Sequence, residues 1–330
     1  MISENINPIV MARRARHPRW QLEYVPCNLC GADSALPLFA TDSHGFGLRT
    51  VVCTLCGLIY FNPRPSGEEY RRMYHNLYEK LFPSAWLPGT AADGAAKQRL
   101  QWYGDLLKPN LRLLEIGPGK GAFLQAVKNT VAGAIVFGIE PSPDAVKACH
   151  ARHLNVQHGY VDDLSGAPTM DMIAAFHVLE HELDPSALLA NLWRRLVVGG
   201  HMLIEVPNIL GRWKGLGMIH IAHPYQYSSH TLSALLRKAS FEVVELVEME
   251  EKGFESSLRI VARKTESCAF ETRSLANKLD APELMAKLFQ ERLCRWRSEL
   301  TRFRLKRMAL RLLGPVLART LRAGLVKVLG

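Results

Sequence analysis

The sequence predicts an α/β protein: a Rossmann-like, doubly wound sheet of seven strands, with a small cysteine-paired unit before it and a basic helical extension after it. Three observations carry this reading. Strand and helix signals alternate between residues 111 and 262, as a parallel sheet with crossover helices requires. Two Cys-x-x-Cys-Gly units stand near the N-terminus, and the last stretch of chain shows helical periodicity with no strand signal.

The elements follow in order. Residues 111–117 read as a first strand and 119–128 as its helix; 135–140 is a second strand, after which Pro141-Ser142-Pro143-Asp144 opens a helix with Pro near its first turn. Residues 156–159 form a short third strand. The fourth, 171–178, is a nearly continuous apolar run that suits a strand buried on both faces. Asp184-Pro185 starts a helix expected to end at Gly199-Gly200, and 201–206 is the fifth strand. A helix over 231–239 precedes a closing strand pair, 241–249 and 257–262. Ahead of the sheet, a Pro-rich turn at 62–65 leads into a helix over 68–81, and the Pro/Gly/Ala stretch 83–96 reads as a linker. The expected domains are therefore 1–90, 91–265 and 266–330.

At 330 residues with 48% hydrophobic content, the chain can bury one large core, and disorder throughout is excluded. Residues 1–10 hold no sustained apolar run before Arg13, Arg14 and Arg16, which does not read as a signal peptide. No stretch approaches the roughly 20 apolar residues of a membrane span, so a cytoplasmic location is expected. The net charge of +10 lies entirely in one place: from Lys287 onward, 12 Lys and Arg face only Glu291 and Glu299.

The loop Leu114-Glu115-Ile116-Gly117-Pro118-Gly119-Lys120-Gly121 holds the main chemical clue. Glycines at 117, 119 and 121 let backbone approach a ligand closely, beyond the carboxyl end of the first strand, where open α/β sheets bind ligands. The spacing is G-x-G-x-G. The third glycine of the dinucleotide fingerprint is replaced by Ala122, and the G-K-[ST] of a phosphate loop is absent, since Gly121 follows Lys120. Glu115 would repel a pyrophosphate and suits a ligand with a positive centre. One strand later, Glu140 can take both hydroxyls of a ribose through its two oxygens. Either feature alone is open to a plainer reading, a solvated acid or an ordinary turn; the pair at this spacing favours a nucleoside.

These residues resemble the class I S-adenosylmethionine-dependent methyltransferases over roughly residues 100–264. The resemblance implies that Glu115, Gly117, Gly119 and Gly121 line the methionine part of the cofactor and that Glu140 binds its ribose. It implies that Tyr160, Val161 and Asp162 lie beside adenine. Phe176-His177-Val178-Leu179-Glu180-His181 matches the segment passing the reactive end, with His177 toward the cofactor and His181 toward the acceptor pocket. Residues 197–208 match the family's turn into the fifth strand.

Cys27-x-x-Cys30-Gly31 and Cys53-x-x-Cys56-Gly57 can close a tetrahedral zinc site with no open position, a structural and not a catalytic ion. Reactive or buried thiols are the alternative. Cys149, Cys268 and Cys294 lack such spacing and read as ordinary apolar residues. A four-cysteine zinc ribbon before such a sheet resembles the sugar C-methyltransferases and related tailoring enzymes, in which the ribbon helps to cover the substrate. The resemblance extends to the helix carrying Tyr70, Tyr74 and Tyr78, which a spacing of four sets along one face, and implies a catalytic role for Tyr74 and Tyr78, as for His181. It extends also to Ala222-His223-Pro224-Tyr225, where such a histidine is the general base; the acid that often precedes it is Ala222 here. Packing remains the alternative for each tyrosine and for His223.

Leu293, Trp296, Leu300 and Phe303 share one helical face, with arginines between them. Such a helix docks on its own domain or a dimer partner, or lies on an anionic inner-membrane surface. Specific nucleic-acid binding is not expected, because the ribbon lacks a basic–aromatic pattern. The expected partner is thus a small-molecule, nucleotide-sugar or glycan acceptor, with a homodimer or a peripheral membrane contact as further partners. Two other functions stay open: a nicotinamide-dependent oxidoreductase, and a non-catalytic zinc-ribbon binding module on a methyltransferase-like fold.

Overall fold

A computed structural model describes residues 20–42, 46–76, 81, 89–164, 169–211, 218–249 and 256–266. The basic extension, Tyr78, Cys268 and Cys294 lie outside the described residues.

The N-terminal unit contains β1 (Leu22–Glu23), β2 (Ala35–Phe39), β3 (Thr50–Cys53), β4 (Ile59–Phe61) and β5 (Arg64–Pro65), followed by helix α1 (Gly67–Asn76). Helix α2 (Gly89–Tyr103) then leads into β6 (Arg112–Ile116), α3 (Ala122–Thr130), β7 (Ile135–Glu140), α4 (Pro143–Ala151) and β8 (Asn155–His158). The chain continues through β9 (Met170–Phe176), α5 (Pro185–Arg195), β10 (Leu196–Pro207), β11 (Tyr225–Gln226), α6 (Ser229–Lys238), β12 (Phe241–Met249) and β13 (Ser257–Lys264).

Seven strands form one sheet in the order β12-β13-β10-β9-β6-β7-β8, matching the expected count. β13 alone runs against its neighbours β10 and β12; the other described pairings in this sheet are parallel. The chain leaves β6, builds outward through β7 and β8, then returns to β9 on the other side of β6. The crevice above β6 is therefore a topological switch point. Apolar strands explain its depth: every residue of β9 except Asp171 is buried, and the helices cap themselves locally. Ser142 accepts from Ala145 N at 3.4 Å, Asp184 from Ala187 N at 2.9 Å, and Ser228 with Thr231 forms a capping box.

Two elements differ from expectation. The helix begun at Pro185 ends at Arg195, and Leu196 already pairs with Met170 in the sheet; the register then shifts before His201, where Gly199 takes φ +77°. The extra residues form a bulge, which alternation alone does not reveal. The stretch 83–96 is not wholly a linker either, since α2 begins at Gly89; its alanines favour helix despite Gly94.

The second sheet, β11-β4-β3-β2, joins distant parts of the chain. β11 follows the fifth strand of the main sheet yet pairs with β4 of the N-terminal unit, Tyr225 opposite Tyr60 and Gln226 opposite Ile59. A hydrophobic cluster of Phe46, Leu48, Phe61, Tyr70, Ile219 and Ile221 fills the space between them. The N-terminal unit is thereby fastened over one lip of the crevice.

Candidate active site

The loop after β6 opens a cleft of about 1180 Å³. Gly117 adopts φ +63°, and a Cβ there would lie 3.0 Å from Val178 Cγ2, on the opposite wall. Glycine is thus required for both conformation and space. Gly121 does different work and does not line the cleft. It caps α3 at φ +77°, where a Cβ would lie 2.5 Å from Leu154 and 2.9 Å from Cys149 Sγ, so it serves helix packing.

Glu140 ends β7 and is 4% exposed. Its carboxylate accepts from Gly119 N at 3.0 Å and from Ser142 N at 2.8 Å, one bond to each oxygen. Each oxygen keeps a further lone pair for the cleft. Burial raises the Glu140 pKa, opposed by these two backbone donors. Glu115, one strand over, is also 4% exposed, and its Oε2 has no hydrogen-bond partner among the described residues. Burial pushes its pKa up to about 8, against the attraction of Arg99 and with the repulsion of Glu205 and Glu140.

Arg99 of α2 forms a bidentate pair with fully buried Glu205 of β10 at 2.5–3.1 Å and lies 3.9 Å from the Phe176 ring centroid. Arg99 lines the cleft beside Glu115, with Glu205 buried behind it. Sequence patterning could not find this pair, because its members are 106 residues apart and carry no motif.

The far wall follows β9. His177 takes φ +56°, donates its backbone N–H to Glu205 O at 2.8 Å and places Nδ1 3.3 Å from Glu180 Oε1. Partial desolvation against the cleft wall works to lower the pKa, but the bond to Glu180 and that residue's charge outweigh it, so the pKa is raised. His181 Nδ1 lies 2.8 Å from Ala222 O and 2.5 Å from Tyr74 Oη. The His181 and His223 rings are 4.6 Å apart by centroid, and the His220 ring lies 3.8 Å from that of His223, tilted by 42°. Burial, then His220 and His181, hold the His223 pKa well below its ordinary value; burial also lowers that of His181.

The cleft therefore gathers Glu115, Gly117, Gly119, Glu140, Tyr160, Val161, Asp162, His177, Tyr74, His181 and His223 from among the expected residues. Tyr160 is 49% exposed at the rim, and Asp162 accepts from Asn191 Nδ2 at 3.1 Å. The residue that shapes this loop is Asp163, whose Oδ2 takes Tyr160 N at 2.8 Å. Arg99, Glu180 and His220 join without having been singled out from sequence, with Glu205 buried behind Arg99.

Apart from the cleft, Cys27, Cys30, Cys53 and Cys56 place their sulfurs within 4.8 Å of one another. Cys27 and Cys56 are 3.4 Å apart and Cys30 and Cys53 3.5 Å, beyond a disulfide and near the roughly 3.8 Å edge of a tetrahedral zinc–thiolate site. Each knuckle turns on a glycine: Gly31 at φ +75° donates to Cys27 O, and Gly57 at φ +74° donates to Cys53 O. This donor set fits a closed, structural zinc ion.

The comparisons with known proteins address the cleft. A family model described as a methyltransferase domain matches residues 89–246, which span the glycine loop, both acids and the histidine wall. Over these residues the chain is similar to a methyltransferase domain. The chain is similar to two curated proteins named ubiquinone biosynthesis O-methyltransferase. The one from Nitrobacter winogradskyi is 32% identical over 121 residues, covering 35% of this chain and 45% of that protein. The one from Bradyrhizobium sp. is 28% identical over 121 residues, covering 35% and 46%. The chain spans about half the length of these relatives. Among solved structures, it is similar to the Burkholderia thailandensis 1,6-didemethyltoxoflavin-N1-methyltransferase with bound 1,6-didemethyltoxoflavin and S-adenosylhomocysteine, at 19% identity, 70% of this chain, 99% of that one and a TM-score of 0.47.

Proposed function

We propose that this chain transfers a methyl group from S-adenosylmethionine to a small-molecule, nucleotide-sugar or glycan acceptor that enters beside His181 and His223. The observation that carries the reading is the pair of buried acids flanking one glycine loop. Glu140 is braced by Gly119 N and Ser142 N with lone pairs left for two ribose hydroxyls, and Glu115 Oε2 is left for a cationic amine. S-adenosylmethionine, when bound, supplies a methyl group on a sulfonium. The chain's part is to hold that methyl in line with a nucleophile. No carboxylate of the site need pair with the sulfonium, whose charge disappears in the reaction.

The names of the curated relatives favour oxygen as the attacking atom. The zinc-ribbon front end and the resemblance to sugar C-methyltransferases favour a tailoring substrate covered by the N-terminal unit. In this reading a structural zinc ion sits on Cys27, Cys30, Cys53 and Cys56 and keeps β4 in place for β11 to pair with. The resemblance implies His223 as general base, but burial and the neighbouring His220 and His181 depress its pKa, which disfavours proton acceptance there.

Calorimetry with S-adenosylhomocysteine tests the cofactor assignment. The wild-type chain should bind it, and Glu140→Ala should bind at least about tenfold more weakly, the loss of one charge-assisted contact. A wild-type chain with no affinity for S-adenosylhomocysteine would sink the proposal.

A further inference from the structure

A second cluster of metal-ligating side chains lies within the cleft, apart from the cysteine knuckles. Glu180, His181 and His223 each place one ligand atom within 4.8 Å of the others. Glu180 is 2% exposed; its Oε1 faces His177 Nδ1 at 3.3 Å, and its Oε2 has no hydrogen-bond partner among the described residues. Leaving such an oxygen unsatisfied costs roughly 1–3 kcal/mol or more for a charged group, so a buried, unpartnered carboxylate oxygen on a residue that lines the cleft points to a missing partner.

Both histidines are oriented for coordination. His181 Nδ1 faces Ala222 O at 2.8 Å, and His223 Nδ1 faces Met218 O at 3.1 Å. A carbonyl can only accept, so a ring that donates from Nδ1 keeps its lone pair at Nε2; His223 has Met218 O as its Nδ1 partner, and His181 Nδ1 has both Ala222 O and Tyr74 Oη at 2.5 Å. Imidazoles fixed in this way, through a backbone carbonyl on the opposite nitrogen, are characteristic of metal ligands. The backbone behind them is held too: Tyr70 Oη donates to Ala222 O at 2.7 Å, and His223 N donates to His220 O at 2.7 Å.

We propose that Glu180, His181 and His223 bind a divalent first-row transition-metal ion at the acceptor end of the cleft, leaving open positions for an acceptor with two adjacent oxygens. Two imidazoles and one carboxylate suit such an ion and leave sites for water or substrate. The metal lowers the pKa of a coordinated hydroxyl, whose proton passes to water. The oxygen then attacks the methyl carbon, the O–C bond forms, the C–S bond breaks, and the sulfonium becomes a neutral thioether. His223 acts here as a ligand and not as the base. The acceptor role rests on the methyltransferase reading above; the metal site itself does not.

Cobalt(II) titration of the metal-stripped full chain, followed by absorbance, separates the two sites. Thiolate–cobalt charge-transfer bands report the cysteine site, and weak visible bands without them report nitrogen and oxygen ligation. Two equivalents per chain with the two signatures are expected. Glu180→Gln and His223→Ala should each lose the second equivalent while keeping the thiolate bands, which verify folding. Saturation at one equivalent in the wild type, or a second equivalent that survives both substitutions, overturns the proposal. S-adenosylhomocysteine calorimetry on the same samples reads the methyltransferase assignment separately: binding retained with no second cobalt removes the metal site alone.

Discussion

Asp42 accepts a hydrogen bond from Ile221 N at 2.9 Å across 179 residues of sequence, and its other oxygen accepts from Phe46 N at 2.8 Å. One buried carboxylate of the N-terminal unit thus holds the segment that carries His220 and His223. Phe61 N, donating to Pro224 O at 3.0 Å, and the β4–β11 pairing extend the same fastening.

Asp42→Ala leaves the Ile221 and Phe46 N–H groups without this partner, at about 1–3 kcal/mol each. A melting temperature several degrees lower is expected by calorimetry, with methyl transfer reduced more than affinity for S-adenosylhomocysteine. An equal loss of both would place Asp42 in general stability instead of in the acceptor wall.

On the proposed reading, Glu115 couples cofactor binding to protons. Its pKa is about 8 in the folded chain against 4.5 when solvated. Between those values the folded state holds the extra proton, so this group's contribution to stability falls as pH rises from about 5 to 8 and levels off above. A bound ammonium should draw Glu115 into its ionised form. At pH 7, calorimetry of S-adenosylhomocysteine binding in buffers of differing ionisation enthalpy should then show release of close to one proton. Glu115→Gln should abolish that release and flatten the fall in stability over the same pH window.

The buried Arg99–Glu205 pair predicts a non-additive series. Arg99→Met strands Glu205, which has no solvent access and would keep only Tyr103 Oη at 3.4 Å among these partners; about 3–5 kcal/mol of stability should be lost. Arg99→Met with Glu205→Met should recover most of it in a denaturation experiment, since well-packed apolar residues often replace a buried pair without penalty.

What was legible in the sequence follows from what is local. The seven strands, the glycine loop with Glu115 and Glu140, and the two knuckles depend on spacing within a few residues or on alternation, and all stand where spacing put them. The bulge after Leu196 was not legible, because it depends on pairing with Met170 and on Gly199 rather than on the hydrophobic pattern. Nor was the histidine cluster. His177, His181, His220 and His223 come together only because β11 crosses to the N-terminal sheet and Asp42 holds Ile221. Gly121 shows the opposite case: it belongs to the motif by spacing, yet its contacts are with Leu154 and Cys149, which no local pattern could indicate.

The central claim is that the cleft above β6 holds S-adenosylmethionine with its ribose on Glu140 and its reactive end toward the histidine wall. A crystal structure grown with saturating S-adenosylhomocysteine tests it most directly. The account predicts both ribose hydroxyls on the Glu140 carboxylate, the amino group beside Glu115, and the sulfur facing His177 and His181. A ligand bound elsewhere, or turned so that its sulfur points away from that wall, would contradict it.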